Sequence, residues 1–128
     1  MSTVLIDTDI AIDFLRGYES AKRLIMPLWE TNSAFLSILS VYELYAGVKE
    51  EEIEATEYFI NACNIEALTL KITKKAGEIY RKHRKKGITF TSIDCMILAS
   101  AIINGHKIAT RNDKHYPLKS YLLEIAFF

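Results

Sequence analysis

The sequence predicts an α/β protein in which helices cover both faces of a mostly parallel sheet of four or five strands. Short runs of apolar, β-branched residues alternate with longer segments whose apolar residues recur at helical spacing. The first run, Thr3-Val4-Leu5-Ile6, is apolar enough to be buried on both faces, as strands of parallel sheets are. This alternation indicates three layers, with the sheet between two layers of helices.

The predicted strands cover residues 3–6, 33–38, 65–70 and 107–110, and the tail, residues 122–128, offers an additional edge strand. The predicted helices cover residues 10–17, 19–30, 40–47, 51–63, 71–86 and 91–103. Their predicted N-caps include Asp9, Ser40 and Thr91, and their predicted ends include Gly17, Gly47 and Gly87. Pro27 is expected to kink the second helix or to end it early.

The length and composition are those of a single globular domain spanning residues 1–128. Hydrophobic residues make up 50% of the chain and charged residues 25%, and the formal net charge is zero. No apolar run approaches the roughly 18 residues of a membrane span, and the N-terminus lacks a basic region followed by an apolar signal core. Cys63 and Cys95 form no C-x-x-C pair, which counts against a redox motif or a thiolate zinc site. We therefore expect a cytoplasmic protein with no membrane partner.

Carboxylates stand at four places where a predicted strand ends or a predicted helix begins. They are Asp7 with Asp9, Glu43, Asp94, and Asp113 beside Asn112. In open α/β sheets, ligands collect outside the carboxyl ends of the strands, where the strand order reverses. These carboxylates are therefore expected to converge on one edge of the sheet.

A structural alternative exists for three of these acids when each is taken alone. They also fit the capping box, in which the acid bonds back to the amide of the cap residue. The three patterns are Ser40-x-x-Glu43, Thr91-x-x-Asp94 and Thr110-x-x-Asp113. A single capping box is far more often structural than catalytic, and it is the convergence of several elements that favours a site.

Carboxylates a few ångströms apart repel one another strongly when they are partly desolvated, unless a cation or shared protons neutralise them. A set of oxygen ligands suits Mg²⁺ or Mn²⁺, and no pattern of His or Cys ligands indicates zinc. The N-terminal dipoles of the helices would keep these acids ionised near neutral pH. The chemistry that fits is metal-assisted phosphodiester hydrolysis, in which a bound ion lowers the pKa of a water molecule and stabilises charge on the phosphate.

Four segments of the chain carry a resemblance to a known family. They are VLIDTD (4–9), SVYELYAG (40–47), IDCMILASA (93–101) and ATRNDKHY (109–116). In order and spacing they resemble the PIN domain, and more narrowly the VapC toxins of prokaryotic toxin–antitoxin modules. The resemblance implies a PIN-like three-layer fold and a Mg²⁺-dependent endoribonuclease that is inhibited by a VapB-type antitoxin and is usually a homodimer. By position, Asp7 and Asp94 match the principal metal ligands of the family, and Glu43 matches its second acid.

The fourth acidic position departs from the family pattern. The family places an Asp or Asn two residues after the strand-ending Thr, here Thr110, and in this chain that residue is Asn112. Asp113 follows one residue further on, and we expect it to supply the charge because a carboxylate binds a divalent ion more strongly than a neutral amide does. Thr110 and Asn112 are then supporting residues, as is Asp9, which matches a family position that holds Asn or Asp.

Two features bear on contact with RNA. Half of the 16 Lys and Arg residues lie between Lys71 and Lys86, where they either neutralise RNA phosphates or form a solvated helix face; neither interpretation is favoured. Arg111, next to the predicted acid cluster, is a better candidate for a contact with a substrate phosphate. The three His residues are scattered, so the chemistry of paired-histidine ribonucleases is not indicated.

Three other functions fit parts of the sequence. A phosphatase would use Asp7 as a covalent nucleophile, but the chain lacks the later Lys and Gly-Asp motifs of such enzymes. A receiver-like Mg²⁺-binding domain would need an Asp at the end of the third strand, where Lys71 follows instead. An RNA-binding module without catalysis would not need Glu43 or Asp94.

The apolar content is more than the core of one small domain readily buries, so some apolar surface is expected to form interfaces. The candidates are Trp29, Tyr42, Tyr45, Tyr58, Phe59, Phe127 and Phe128. The family resemblance implies a self-complementary dimer face and a groove for an antitoxin segment next to the acids. An Arg of that segment would pair with the acids and displace the cation.

Overall fold

The computed structural model describes residues 2–87, 90–116 and 118–123. Within these ranges four strands form a parallel sheet: β1 Thr3–Ile6, β2 Ala34–Ser37, β3 Asn64–Glu66 and β4 His106–Ala109. The same ranges contain six α-helices: α1 Thr8–Leu15, α2 Glu19–Glu30, α3 Ile38–Gly47, α4 Ile53–Ala62, α5 Leu70–Lys85 and α6 Ser92–Asn104. Short 3-10 turns span Glu50–Glu52, Asp113–His115 and Lys119–Tyr121. None of the helices in the described ranges is long and apolar enough to cross a membrane.

The strand order β3-β2-β1-β4 places β1 inside the sheet, between β2 and β4. The chain proceeds from β1 to β2 and β3 in one direction and then returns to the other side of β1. The strand order therefore reverses between β1 and β4, and the carboxyl ends of these two strands flank the position where open α/β sheets bind ligands. A receiver domain has β1 between β2 and β3. The receiver-like alternative is therefore wrong.

The two faces of β1 pack against different layers of helices. Val4 and Ile6 belong to the core formed with α1, α2, α3 and α4, whereas Leu5 belongs to the core formed with α5 and α6. The predicted three-layer α/β fold is confirmed. Phe59 of α4 is buried in the first of these cores, so its assignment to an interface is wrong.

Two helices begin earlier than predicted, because a residue at or directly after the end of the preceding strand caps each helix. Asp7 caps α1 and Ser37 caps α3, with extended backbones at ψ of 156° and 144° and side chains that accept an N–H of the next turn. The predicted caps Asp9 and Ser40 lie inside these helices, so both predictions are wrong. The predicted cap of α6, Thr91, is confirmed.

Other element boundaries also differ from the prediction. The third strand ends at Glu66 rather than at residue 70, because Thr69 turns to cap α5 and its hydroxyl accepts the N–H of Ile72. α2 continues past Pro27, so an early end there is wrong. In the predicted tail strand, Leu122 forms an isolated parallel bridge with Ile108, and residues 124–128 lie outside the described ranges.

A buried polar network connects β3 to β4 on the face that α5 and α6 cover. Glu66 accepts a hydrogen bond from Asn104, and Nε2 of His106 lies 3.0 Å from the same carboxylate oxygen. Nδ1 of His106 lies 2.6 Å from the hydroxyl of Thr3, and its ring centroid lies 4.5 Å from that of Phe35. These polar groups are tolerated in the core because each has a hydrogen-bond partner.

Candidate active site

Asp7 directly follows β1 and lies at the edge where β1 and β4 end. Its side chain is buried, with 7% of its surface exposed, and accepts three hydrogen bonds. Oδ1 accepts the N–H of Thr8 at 2.9 Å, and Oδ2 accepts the hydroxyl groups of Thr110 at 2.8 Å and Tyr116 at 3.0 Å. These donors orient the carboxylate and offset part of the free-energy cost of burying it.

The acids around Asp7 change one another's pKa. Burial raises the pKa of Asp7 above its ordinary value and the charge of Asp94 adds to the rise, while the three hydrogen bonds lower it because they stabilise the charged form. The pKa of Asp9 is also raised, first by burial and then by the charge of Asp7. The structure thus brings Asp7, Asp9 and Asp94 together at one edge of the sheet.

Asp94 is placed by the first turn of α6. The hydroxyl of the N-cap, Thr91, accepts the N–H of Asp94 at 3.0 Å, which holds the start of the helix. The side chain of Asp94 is half-buried, and its charge contributes to the raised pKa of both Asp7 and Tyr116. Asp94 therefore lies at the same edge of the sheet as Asp7, although it belongs to α6 in the layer of helices formed by α5 and α6.

Glu43 is connected to this edge through Thr8. The Thr8 hydroxyl lies 2.6 Å from Oε1 of Glu43 and 3.0 Å from Oγ of Ser40, and it donates more strongly to the carboxylate because that acceptor is charged. Ser40 is buried inside α3 and does not cap it, so the predicted capping box of Ser40 and Glu43 is wrong. The residue after Asp7 therefore orients Glu43 toward the start of α1.

Asp9 joins the first turn of α1 to the residues after β4. Its Oδ2 accepts the backbone N–H of Arg111 at 2.8 Å, and its Oδ1 accepts the N–H of Ile10 at 2.8 Å. The hydroxyl of Thr110 lies 3.4 Å from the same Oδ2. These bonds hold the two chain segments that flank Asp7, and a supporting role for Asp9 in function stays a prediction.

Asn112 and Asp113 lie on the turn that follows β4, and both are exposed. The hydroxyl of Thr110 accepts the N–H of Asn112 at 2.9 Å while it donates to Asp7. In the predicted capping box that hydroxyl would accept the N–H of Asp113 instead, so this capping box is wrong. The choice between Asn112 and Asp113 for the fourth position stays open.

Arg111 forms a bidentate ion pair with Asp13 of α1. Its Nε and Nη2 donate to the two carboxylate oxygens at 2.6 and 3.1 Å, and Asp13 is 1% exposed. The pair uses two of the five N–H donors of the guanidinium, and the Arg111 side chain remains 41% exposed. A contact between Arg111 and a substrate phosphate stays a prediction, and it would use the remaining donors.

The donors at this edge are oxygen atoms, which suits Mg²⁺ and Mn²⁺. Among the described residues, no group of three His, Cys, Asp or Glu side chains is placed to hold a metal ion by itself. Mg²⁺ usually keeps several water molecules and binds one or two protein carboxylates together with substrate phosphates. The pair formed by Asp7 and Asp94 therefore fits the chemistry of such an ion.

Sequence reasoning missed three residues of this edge: Thr8, Asp13 and Tyr116. Thr8 stands between two acids, and Asp13 pairs with Arg111 across 98 positions of the sequence. Tyr116 reaches Asp7 across 109 positions, and its side chain reads as an ordinary apolar residue at the end of a polar turn. No local pattern reports contacts of this length, so only the fold reveals them.

Comparisons with known proteins agree with this geometry. The chain matches the family model of the PIN domain over residues 4–119. Ribonuclease VapC19 of Mycobacterium tuberculosis is 35% identical over 115 residues, which cover 89% of this chain and 92% of that protein. Ribonuclease VapC1 of Methanocaldococcus jannaschii is 29% identical over 126 residues, which cover 97% of this chain and 87% of that protein.

A solved structure extends the agreement to the whole fold. A chain of a toxin–antitoxin complex from Klebsiella pneumoniae superposes with a TM-score of 0.82 at 21% identity, covering 98% of this chain and 100% of that chain. The sheet order, the acids at its switch point and the family match over residues 4–119 lead to one conclusion. The chain belongs to the PIN domain family.

Proposed function

We propose that this protein is an endoribonuclease that hydrolyses RNA phosphodiester bonds with Mg²⁺ or Mn²⁺ and acts as the toxin of a VapBC-type toxin–antitoxin module in the cytoplasm. The observation that carries the proposal is the convergence of Asp7 and Asp94 at the switch point of the sheet, close enough for the charge of one to raise the pKa of the other. Such a pair is stabilised by a cation. The choice of RNA is supported by the relatives named as VapC ribonucleases.

Asp7 and Asp94 would hold the metal ion, with Glu43 as the third acid of the site. When bound, the ion lowers the pKa of a water molecule and stabilises charge on the attacked phosphate. Thr8 fixes the Glu43 carboxylate through Oε1, and we assign Glu43 to orient the attacking water by accepting a hydrogen bond from it. Thr110 and Asp9 hold the ends of the surrounding segments in place.

Arg111 and Asp113 complete the proposed machinery on the turn after β4. Asp13 fixes the plane of the Arg111 guanidinium, whose remaining N–H groups bind an oxygen of the RNA phosphate. Asp113 would supply negative charge to the metal, directly or through a bound water, while Asn112 would shape the turn. Arg111, Asn112 and Asp113 follow Thr110, whose hydroxyl donates to Asp7, and Asp13 lies further along α1, the helix that Asp7 caps.

A groove beside Glu43 fits an antitoxin segment. The cavity, of about 310 Å³, lies between α1, α3 and α4. Its apolar lining includes Ile12, Leu15, Leu44 and Val48, and its charged lining consists of Arg16, Glu43, Glu51 and Glu52. An amphipathic segment with apolar anchors matches such a groove. An Arg at the end of that segment would pair with the acids, because a guanidinium binds carboxylates through two hydrogen bonds.

The outer face of α3 fits a homodimer contact. Ile38, Tyr42 and Tyr45 are 45%, 65% and 42% exposed, and their spacing places them on one side of the helix. Exposed apolar side chains grouped in this way usually mark an interface, and a self-complementary patch forms a two-fold dimer. Among the other candidates, Tyr58 is exposed on α4 and Trp29 is half-buried, while Phe127 and Phe128 lie outside the described residues.

Asp94→Asn should abolish RNA cleavage without destabilising the metal-free protein. The amide keeps the shape of the side chain but removes a ligand charge and the repulsion toward Asp7. We expect cleavage to fall by at least about 100-fold, because losing even a residue behind a metal ligand costs roughly 10- to 100-fold. The loss of activity is measured by cleavage of structured RNA with and without Mg²⁺. The stability is measured by thermal melting in EDTA, where the melting temperature of the variant should equal or exceed that of the wild type.

The control for that variant is Glu78→Gln, which removes an acid from the exposed face of α5. Its only described ion pair, with Lys75, is a surface pair of little energetic value, so neither cleavage nor melting should change. If Asp94→Asn cleaves RNA at the wild-type rate, or if it is inactive because it is unfolded, the proposed role of Asp94 is contradicted.

Asp113→Asn should weaken Mn²⁺ binding more than Asn112→Ala does. The first change removes a negative charge near the ion, whereas the second removes a neutral amide from the turn. Calorimetric titration of both variants with Mn²⁺ compares their affinities for the ion directly. If only Asn112→Ala weakens binding, the roles of the two residues are reversed.

The affinity of the antitoxin should fall as Mg²⁺ or Mn²⁺ rises at constant ionic strength. The proposed Arg and the cation compete for the same carboxylates, so binding should weaken about 10-fold when the ion stands at roughly ten times its dissociation constant. Calorimetry with the cognate VapB-type antitoxin measures the effect, with K⁺ as the compensating ion. Affinity that does not respond to the divalent ion would rule out this mode of inhibition.

The protein should be a homodimer at micromolar concentrations, and Tyr42→Glu should make it monomeric by placing a charge in the contact on α3. Tyr58→Glu is the matched control, since Tyr58 is an exposed tyrosine of α4 and lies outside the proposed contact. Light scattering gives the mass of each form. A monomeric wild-type protein, or a dimeric Tyr42→Glu variant, would exclude this face.

A further inference from the structure

Tyr116 carries its hydroxyl from the core into the acid cluster. The residue follows the 3-10 turn Asp113–His115, and its side chain is fully buried in the core that α5 and α6 form with the sheet. The apolar ring is therefore held by packing, and the hydroxyl donates to Oδ2 of Asp7 at 3.0 Å. A phenylalanine would fill the same volume, so the hydroxyl itself requires an explanation.

The hydrogen bonds on Asp7 are distributed unequally over its two oxygen atoms. An ionised carboxylate has about four lone-pair sites, two on each oxygen. Tyr116 and Thr110 occupy both sites of Oδ2, whereas the N–H of Thr8 occupies one site of Oδ1. The acceptor site that remains lies on Oδ1.

We infer that Tyr116 is a positioning residue which, together with Thr110, keeps Oδ2 of Asp7 engaged so that Asp7 presents a single oxygen, Oδ1, to a divalent cation. This inference rests on one part of the proposed function, the binding of a divalent metal ion at Asp7. Its consequence is metal selectivity. Mg²⁺ demands a near-ideal octahedral shell, whereas Ca²⁺ takes more oxygen ligands and often binds both oxygens of one carboxylate. A single available oxygen on Asp7 therefore favours Mg²⁺ and Mn²⁺ over Ca²⁺.

Tyr116→Phe tests this inference because it removes one hydroxyl and keeps the ring. Calorimetric titration of the RNA-free protein with Mn²⁺ and with Ca²⁺ gives the two affinities and their ratio. We expect the Mn²⁺ affinity to fall about 10-fold, as is typical when a group behind a metal ligand is lost. The Ca²⁺ affinity should fall less, because a freed Oδ2 allows two-oxygen binding. The preference for Mn²⁺ over Ca²⁺ should therefore shrink.

Two further variants make the test specific. Tyr80→Phe removes the hydroxyl of a tyrosine that packs against the same core from α5, and it should leave both affinities unchanged. Thr110→Val removes the other hydroxyl from Oδ2 of Asp7, and it should shift the ratio in the same direction as Tyr116→Phe. Thermal melting in EDTA shows which variants are folded. Tyr116→Phe and Thr110→Val each remove one hydroxyl from Oδ2 of Asp7, so either variant tests the inference by itself.

Each result bears on a defined claim. An unchanged Mn²⁺ affinity in Tyr116→Phe, or an equal loss for Mn²⁺ and Ca²⁺, would overturn the positioning role, because a purely structural residue would not alter the ratio. A wild-type protein that binds no Mn²⁺ would overturn this role and the metal-dependent nuclease together. A wild-type protein that binds Mn²⁺ but does not cleave RNA would remove the proposed function and leave the role of Tyr116 in metal binding standing.

Discussion

The repulsion among carboxylates that are buried or half-buried where β1 and β4 end is the constraint on which the rest of the site depends. Asp7, Asp9 and Asp94 lie close enough for the charge of one acid to raise the pKa of another, and burial raises the pKa of Asp7 and Asp9 further. Hydrogen bonds to the charged form act against this rise, and they come from Thr110 and Tyr116 as well as from the backbone. At Asp7 these bonds bring no positive charge, whereas the charge of Arg111 lowers the pKa of Asp9. The negative charge of the cluster therefore favours the binding of a cation.

The topology explains why so many donors reach one place. β1 is covered on both faces and paired on both sides, so the residue that leaves its carboxyl end, Asp7, emerges between α1 and β4. Thr8 then lies against α3, and Asp9 lies against the residues after β4. Successive residues of one short segment thus contact different elements. A change in the length of the β1–α1 junction would misplace all of these contacts together.

The layers and the edge that carries the site could be predicted from the sequence, because alternating strands and helices leave few arrangements for a parallel sheet. The helix caps could not be assigned as reliably. More than one residue of capping type stands near the starts of α1 and α3, and the extended backbone of Asp7 and Ser37 decides between them. The contacts of Tyr116 and Asp13 could not be predicted for another reason. Their partners lie 109 and 98 positions away, and only the packed fold sets those distances.

Capping and the proposed metal binding are not competing explanations for Asp7, because the cap uses only one of the two acceptor sites of Oδ1. The cap needs only one acceptor oxygen, Oδ1, for the N–H of Thr8, and serine or asparagine would serve equally well there. Ser37 caps α3 in this way without a described contact from a distant hydroxyl. At Asp7 two hydroxyl groups from the far end of the chain bind Oδ2, which the cap does not use. It is this surplus of donors, rather than the position of Asp7 at the helix start, that supports the proposed functional role of Asp7.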